Sequence, residues 1–557
     1  MNVTPSASGP TDRRAATLVM ACLGVFVAYL PVTTVAVSLP AIQAALDAST
    51  AQLSWVQDAF VLPMAAFILT AGVFGDVHGR KKVFQAGLLF SAVGAAVALA
   101  AQSIQVLWIG QAFAGLGAAA LLPTTLALIS HAVPDFRERG KFIGLWATSL
   151  LVALAVGPLI AGVIIDHAAW RWIYLLVIPV SLVAMVFAAR LLTDSRAPWG
   201  SPRSSEAESG GGRRLDWPGQ ITATLAITAL VYGVIEGGAG SFTDVSVMLA
   251  LFIAVVSGVA FVLAERRSDS PMLDLTLFRS PAFTATTLIA MITFLALIGF
   301  FFLLSLYFGL VQQLDTLQAG WRLLMVTAAA IVAGQPVGRL MHRVSARLLI
   351  TVGLLVVSGS LFSLTTVQAD TSFASIAWRL VLLGLGMGSV LTPMTATAVA
   401  SVPHHQAGMA AAGNNAFRQV GGALGPAVLG ALLTARALDT FPGHLADAGV
   451  TGATQQTIVD TANAGGLGAV AQLNLGADTG QALGAVGDAF LDGLHLCLIV
   501  AAALTLLAAL VSAILLRTPR KAATTTVTAA TNASGHTSSA ASAGAVLTAQ
   551  GEGRPQR

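Results

Sequence analysis

Charged side chains are scarce in this sequence. Lys, Arg, Asp and Glu make up 10% of the 557 residues, whereas hydrophobic residues make up 56%. A soluble domain typically carries roughly 25% charged residues. The composition therefore excludes an ordinary soluble protein and predicts a chain that crosses a membrane many times.

Cysteine is also nearly absent. Cys22 and Cys497 are the two cysteines, and each lies within an apolar run, so neither a disulfide framework nor a metal site is predicted. The pair His404 and His405 has no carboxylate or cysteine nearby, which favours a solvated turn over a metal site. The net charge of +4 comes from basic residues spread over short loops, so we expect no nucleic-acid partner.

Signatures of common enzyme sites are missing as well. The sequence has no Gly-x-x-x-x-Gly-Lys phosphate loop, no His-Glu-x-x-His zinc motif and no Gly-x-Ser-x-Gly nucleophile elbow. We therefore expect neither an enzyme nor a bound cofactor, and no ATP-driven transport by this chain alone.

Long apolar runs are what the sequence has in abundance. Runs of about 20 residues span a bilayer as helices. Fourteen such runs are counted, near 15–38, 53–74, 83–101, 106–130, 142–165, 172–192, 218–236, 245–264, 283–310, 322–341, 347–367, 374–401, 411–434 and 492–516. The sequence predicts an all-α membrane protein with a lipid bilayer as its partner.

The runs and the polar segments between them also predict the domains. In order, these are a cytoplasmic N-terminal tail (1–14), a six-helix bundle (15–192), a cytoplasmic linker (193–217), two inserted transmembrane helices (218–264), a second six-helix bundle (265–516) containing an extracellular loop (436–491), and a disordered cytoplasmic tail (517–557).

The distribution of Lys and Arg predicts the orientation. Of the 29 basic residues, all but Arg171, Arg322, Arg379 and Arg436 fall on one side of the predicted topology. Basic residues accumulate in cytoplasmic loops. We therefore expect a multi-pass protein of the plasma (inner) membrane with both termini in the cytoplasm.

An internal repeat relates the two predicted bundles. Three landmarks recur at nearly one offset: Gly157-Pro158-x-x-x-Gly162 as Gly425-Pro426-x-x-x-Gly430 after 268 residues, Gly115-Leu116-Gly117 as Gly384-Leu385-Gly386 after 269, and the Gly72 turn as a degenerate copy at Gly338 after 266. Duplicated six-helix halves with a substrate site near the midplane are typical of secondary transporters.

A tight polar turn separates the second and third apolar runs. It reads Gly72-Val-Phe-Gly75-Asp76-Val-His-Gly79-Arg80-Lys81-Lys82 and resembles the loop signature of the major facilitator superfamily. The resemblance implies a gating turn, in which Asp76, Arg80 and Lys81 hold the cytoplasmic gate shut in the outward-open state. The alternative is an ordinary positively charged turn, which explains the basic residues but not the glycines and Asp76.

Several strings along the chain resemble the fourteen-helix drug:proton antiporters of this superfamily. They include Leu39-Pro40-Ala41-Ile42, Trp170-Arg171-Trp172-Ile173, Leu273-Asp274-Leu275 and Arg418-Gln419-x-Gly421-Gly422. Gly157, Pro158, Ala161 and Gly162 resemble the exporter signature, which implies a kinked and closely packed helix. Ordinary small-residue packing is the alternative for these four residues.

The sequence departs from these antiporters where they usually carry charge. Pro31 stands where the first helix usually has Asp, and Gln111 stands where the fourth usually has Arg. Asp58, about five residues into the second predicted helix, is therefore the candidate proton carrier, because a carboxylate within the bilayer costs about 2.5–3.5 kcal/mol to insert. The alternative is an outer-end Asp stabilised by the helix dipole.

Two further charged residues are candidates for gating or structural roles. Arg418 lies inside an apolar run, and the resemblance implies a contact with helix ends on the cytoplasmic side. Glu236 lies at the outer end of the seventh predicted helix, where an interfacial position is favoured.

The functional hypothesis is a secondary active transporter that works by alternating access. The leading version is a proton-coupled exporter of hydrophobic drugs, antibiotics or secondary metabolites, with the proton as coupling ion and a monomeric chain. The alternative is a proton-independent facilitator or importer of a small metabolite, which the residues at positions 31 and 111 support. Helix faces rich in Ala, Leu, Val and Phe favour a small hydrophobic or amphipathic substrate.

Overall fold

The fold is all-α. The computed structural model describes residues 10–133, 136–192, 216–268, 271–341, 343–402, 406–473 and 478–516. Its first eight helices are α1 (Pro10–Leu46), α2 (Thr50–His78), α3 (Arg80–Leu99), α4 (Ile104–Ala132), α5 (Phe136–His167), α6 (Val177–Leu191), α7 (Trp217–Ala239) and α8 (Val245–Arg267). The others are α9 (Pro281–Leu306), α10 (Thr316–Leu340), α11 (Ala346–Ser363), α12 (Phe373–Ala400), α13 (Ala407–Asp447), α14 (Ala453–Gly465) and α15 (Thr479–Leu515).

Fourteen of these helices are long and apolar enough to span a membrane, counted over the described residues. The exception is the short helix α14, and a 3₁₀ turn at Trp170–Tyr174 extends the span of α6. The prediction of fourteen spanning helices in an all-α protein is confirmed. The predicted linker and C-terminal tail lie almost wholly outside the described residues.

Local signals in the sequence set where the helices begin and end. At the start of α2, Ser49 Oγ accepts a hydrogen bond from Gln52 N, and Gln52 Oε1 accepts one from Ser49 N. This reciprocal capping box satisfies backbone donors that the helix leaves free. Between α2 and α3, Gly79 has φ 112°, a conformation that favours glycine. We call the end of the structure at Gly79 the turn end, and the other end the opposite end.

The internal repeat appears again in the helix packing. We call α1–α6 the first bundle, and α9–α13 with α15 the second bundle. In the first bundle α1 packs on α5, α2 on α4, and α3 on both α4 and α6. In the second bundle the corresponding pairs are α9 with α13, α10 with α12, and α11 with both α12 and α15. The same neighbour relations therefore recur in both bundles.

A pair of equivalent glycines holds this packing together. A Cβ atom at Gly115 would collide with the carbonyl oxygen of Phe60, and one at Gly384 would collide with that of Val326. The two contacts sit in corresponding helix pairs, α2 with α4 and α10 with α12. Only glycine lets these backbones approach so closely.

We predict that Gly115→Val destabilises the protein by about 1–3 kcal/mol, because the added side chain overpacks against backbone that cannot move aside. The apparent melting temperature of the purified protein, followed by intrinsic fluorescence, should fall. Gly334→Val is the matched control, since a Cβ at Gly334 meets no atom within 4 Å. Equal melting temperatures for the two variants would contradict the prediction.

The segment 436–491, predicted as a loop, has regular local structure. Helix α13 continues to Asp447, α14 follows, and α15 begins at Thr479. Its Ala-rich composition favours helix, and a small apolar cluster that includes Phe441 and Ile458 packs these pieces together. The position of the segment outside the membrane remains a prediction.

Candidate functional site

The two bundles meet along α2 with α13, α5 with α10, and α1 with α9. Toward the opposite end, Ser54 Oγ lies 3.4 Å from the carbonyl oxygen of Pro426 and donates to it. At the α5–α10 contact, a Cβ at Gly320 would lie 2.6 Å from the carbonyl oxygen of Pro158. The bundles are therefore in direct contact toward the opposite end.

Asp58 lies within this interface. Ser54 contacts Pro426 of α13, and Val61 lies 3.6 Å from where a Cβ at Gly422 of α13 would be. Residues four before and three after Asp58 share its helix face, so Asp58 is on the stripe of α2 that faces α13.

The Asp58 carboxylate is fully buried and unpaired. Its exposed fraction is 0%, and neither oxygen has a hydrogen-bond partner among the described residues. Because α2 begins at Thr50 rather than near residue 53, Asp58 lies about 12 Å along the helix, deeper than predicted. The helix dipole acts within about the first turn and so does not explain a carboxylate at this depth.

Other buried polar atoms of the first bundle also lack partners among the described residues. They include both amide atoms of Gln57, Oγ1 of Thr33 and Oε1 of Gln111. Gln111, at the position where the resemblance in sequence would lead to Arg, donates through its Nε2 to the carbonyl oxygen of Val56 at 3.1 Å. The interior thus has unmet hydrogen-bonding capacity that water or a polar substrate group would satisfy.

Arg418 is buried between the bundles. Its exposed fraction is 9%, its Nη2 donates to the Tyr29 hydroxyl at 3.4 Å, and its guanidinium lies 4.4 Å from the centre of the Phe294 ring. Gln419 Nε2 donates to the same hydroxyl at 3.0 Å. Among the described residues, the partners of Arg418 lie within the spans of α1 and α9 and not at helix ends, where the contact was expected. A long flexible side chain reaches whichever acceptor the packing brings near, and sequence does not reveal it.

Glu236 links α7 to the first bundle. Its Oε1 accepts a hydrogen bond from Trp55 Nε1 at 3.2 Å, and Trp55 also packs against Trp108 and Tyr232 at ring distances of 6.3 and 6.2 Å. Glu236 is three residues before the end of α7. The arrangement is consistent with a structural contact near the opposite end.

The predicted gating turn packs against the first bundle. Arg80 Nη1 donates to the carbonyl oxygen of Ala127 at 3.2 Å, and Lys81 Nζ donates to that of Ala189 at 2.7 Å. Ala189 lies in the last turn of α6, where cations are favoured, whereas Ala127 lies five residues before the end of α4. The backbone of Asp76 is in α2, but its side chain lies outside the described part of the structure.

The glycines of the turn face α4. A Cβ at Gly75 would lie 3.3 Å from Thr124 Cγ2, and one at Gly72 would lie 3.5 Å from Pro123 Cβ. A side chain at position 75 would therefore be crowded against α4. At position 79, glycine is needed because the backbone has a positive φ.

The predicted exporter signature lies where α5 meets both α1 and α10. A Cβ at Gly157 would collide with Thr33 Oγ1, and one at Gly162 would collide with the backbone of Leu317. Pro158 is inside α5, and Ala161 is fully buried. These small residues thus allow close contact both within the first bundle and across to the second.

Of the fourteen membrane-length helices in the described residues, twelve form two similarly packed bundles with buried polar groups between them, and this arrangement defines a polytopic membrane transport protein. No group of three or more His, Cys, Asp or Glu that could hold a metal ion occurs in the described residues. The fold and site therefore define the class, and comparison with known proteins gives the family.

Residues 21–426 match the Major Facilitator Superfamily. The chain is 31% identical over 503 residues to the tetracenomycin C resistance and export protein of Streptomyces glaucescens, covering 90% of this chain and 91% of that protein. It is 30% identical over 505 residues to the multidrug efflux pump LfrA of Mycolicibacterium smegmatis, covering 90% and 96%. A bacterial homologue of the lysosomal transporter Spinster shares the fold with a TM-score of 0.60 at 16% identity, covering 91% and 98%.

The chain belongs to the Major Facilitator Superfamily. It is a multi-pass membrane transporter of small molecules and not an enzyme. The predictions of family, fold and transport function are confirmed.

Proposed function

We propose that this protein is a proton-coupled exporter of hydrophobic drugs, antibiotics or secondary metabolites. Its relatives include proteins named for antibiotic resistance and multidrug efflux, which supports export of such compounds. The single observation that supports proton coupling is the buried and unpaired carboxylate of Asp58 at the interface of the bundles.

Burial of Asp58 couples proton binding to the movement of the bundles. An ionised carboxylate with no hydrogen-bond donor is costly to bury, by several kcal/mol in proteins. Contact between α2 and α13 around Asp58 is therefore favoured when the carboxyl group carries a proton. Separation of the bundles lets water reach the group and lets the proton exchange. The proton is thus bound more favourably in one arrangement of the bundles than in the other, as a coupled two-state transporter requires.

The proposal includes the orientation and organisation of the chain. We place the protein in the plasma (inner) membrane. The distribution of Lys and Arg supports a cytoplasmic position for the turn end and for both termini. We also propose that the chain acts as a monomer. Inserted helices α7 and α8 lie between two six-helix domains with the boundaries given above. In this orientation the described structure has its bundles in contact at the outer end.

A drug-susceptibility panel tests the exporter proposal. The native chain is produced in a host that lacks its own major exporters, and inhibitory concentrations are compared with those of the empty vector, with and without a protonophore. Higher resistance to some compounds that the protonophore abolishes is the expected result. A panel on which native chain and empty vector never differ would argue against drug export.

A proton-independent facilitator or importer is the second candidate. The observation in its favour is that Gln111, where the related antiporters usually carry Arg, is neutral and donates to a backbone carbonyl. Transport that persists unchanged when the protonophore is added would favour this candidate over the exporter.

The role proposed for the gating turn gives a further prediction. Asp76→Asn should slow turnover without lowering the amount of folded protein in the membrane, because it removes a charge that is engaged in only one of two alternating states. Transport rate per molecule is measured by uptake into everted vesicles. Lys82→Gln is the control within the same turn and should be near native. Native transport by a normally produced Asp76→Asn protein would contradict the gating role.

A further inference from the structure

No carboxylate among the described residues neutralises the guanidinium of Arg418. Its described contacts are the Tyr29 hydroxyl and the Phe294 ring, and no described carboxylate forms an ion pair with it. Its Nε is buried and has no hydrogen-bond partner among the described residues. A hydroxyl oxygen and an aromatic face only partly compensate a guanidinium. One side of the cation is therefore available to an anion.

The position of Arg418 is between the two bundles. Tyr29 belongs to α1 of the first bundle, whereas Phe294 belongs to α9 of the second. One turn further along α13, Gly422 faces Val61 of α2. Residues four apart share a helix face, so Arg418 is on the face of α13 that meets the first bundle.

A second unmet polar group lies one turn away on the same face. Asn415 Oδ1 is buried and has no hydrogen-bond partner among the described residues. Residues three apart on a helix are neighbours, so an unmet acceptor lies beside the unmet donor of Arg418. Together they match a ligand that carries an anionic oxygen and a hydroxyl or N–H group close to it.

We propose that Arg418, with Asn415 and Tyr29, forms a subsite for the acidic group of an amphipathic aromatic substrate, such as a carboxylate or a phenolate. The anionic oxygen accepts from the free Nε–H of Arg418, and a neighbouring substrate donor reaches Asn415 Oδ1. Arginine suits this role because its guanidinium binds planar anionic groups directionally and is only weakly hydrated. This inference deepens the proposed export function and rests on it for transport, but binding is testable separately.

Asp58 is the competing partner for Arg418. The contact of Val61 with Gly422 sets the register of α2 and α13, and it places Asp58 and Arg418 about 10 Å apart along the helix axes. If Asp58 were the true counter-ion, the native protein would have no preference for anions, and Asp58→Asn would create one.

A set of fluorescent probes with one aromatic body tests the subsite. Dansylglycine is anionic, its methyl ester is neutral and dansylcadaverine is cationic. Each is titrated against the purified full-length protein in lipid nanodiscs, and dansyl emission is followed. The native protein should bind dansylglycine about tenfold or more tightly than the ester, which corresponds to one charge-assisted hydrogen bond.

Two variants of the subsite should lose this preference. Arg418→Met keeps an unbranched apolar side chain and removes the charge, so dansylglycine affinity should fall about tenfold while ester affinity stays within about twofold. Asn415→Asp supplies an internal carboxylate next to Arg418 and should weaken dansylglycine binding in the same way. Since Asn415→Asp adds a counter-ion to the cation, it tests the inference even if Arg418→Met fails to fold.

Arg322→Met is the matched control. Arg322 is also in a membrane-spanning helix and also lies over aromatic rings, at 5.4 Å from that of Phe308 and 4.9 Å from that of Phe373. Its removal should leave the ratio of dansylglycine to ester affinity unchanged. The subsite is overturned if the native protein binds dansylglycine and the ester equally well, or if both subsite variants keep the affinity ratio of the native protein. It is also overturned if a preference for dansylglycine appears only in Asp58→Asn.

Failure of the subsite and failure of the exporter proposal have different signatures. Resistance to neutral and cationic compounds, with no preference for dansylglycine, leaves the exporter standing and overturns the subsite. The reverse outcome is a chain that confers no resistance but binds anions selectively, with the selectivity lost in Arg418→Met. That outcome supports the subsite and contradicts the proposal of drug export.

Discussion

Asp58→Asn should abolish transport driven by a pH gradient while leaving exchange of substrate intact. The substitution keeps the shape of the buried side chain at the interface and removes its ability to bind and release a proton. Movement of the bundles then no longer depends on a proton. We expect gradient-driven transport to fall by about tenfold or more, since a coupling of only about 1.4 kcal/mol changes an equilibrium tenfold.

Proteoliposomes separate the two activities. Net transport is measured with an imposed pH gradient, and exchange is measured with labelled substrate on one side and unlabelled substrate on the other, without a gradient. Ser54→Ala is the control on the same stripe of α2, because it removes one hydrogen bond to Pro426 without touching a titratable group. Asp58→Glu should keep part of the coupling. Native gradient-driven transport in Asp58→Asn would remove Asp58 as the proton carrier.

Gly162→Leu should trap the transporter with its bundles apart at the opposite end. A Cβ at Gly162 would collide with the backbone of Leu317 at the start of α10, and a leucine is larger still. The arrangement with these helices in contact is therefore disfavoured, while the separated arrangement is not. A penalty of about 3 kcal/mol, within the range for overpacking, shifts the equilibrium between the two arrangements by more than tenfold.

The shift is measured as a change in accessibility and as a loss of transport. Single cysteines placed in a cysteine-free background at the ends of α5 and α10 should react faster with a membrane-impermeant maleimide in Gly162→Leu. Transport should fall by about tenfold. Gly258→Leu in α8 is the control, because a Cβ there meets no atom within 4 Å. Native labelling rates in Gly162→Leu would mean that the contact does not separate.

The repeat shows how far sequence predicts packing. Gly115 and Gly384 recur at a fixed offset, and the structure gives them equivalent contacts with a carbonyl oxygen on the second helix of each bundle. Such a prediction works because glycine in a membrane helix has few roles besides close approach. Segment 436–491 was harder to predict, because its Ala residues favour helix whereas its Gly residues oppose it, and the apolar cluster that packs its helices forms only in the folded chain.

The candidate site was only partly predictable. Asp58 stands out in sequence because a carboxylate in an apolar run is costly, but its depth depended on where α2 begins. Arg418 stands out for the same reason, yet its partner Tyr29 is 389 residues away in the chain. The sequence did not indicate that Asn415 Oδ1 lacks a hydrogen-bond donor among the described residues, because an asparagine in a helix usually finds a partner.

By itself the sequence determined the number of spanning helices, the turn at Gly79 and the duplication of the bundles. These follow from interactions over a few residues: apolar length, capping and the conformation that glycine permits. Only the tertiary structure decided which buried polar groups find partners and which do not. The reason is that Asp58, Arg418 and Asn415 depend on helices distant in the chain, whose rotation and depth are set by packing across the whole bundle.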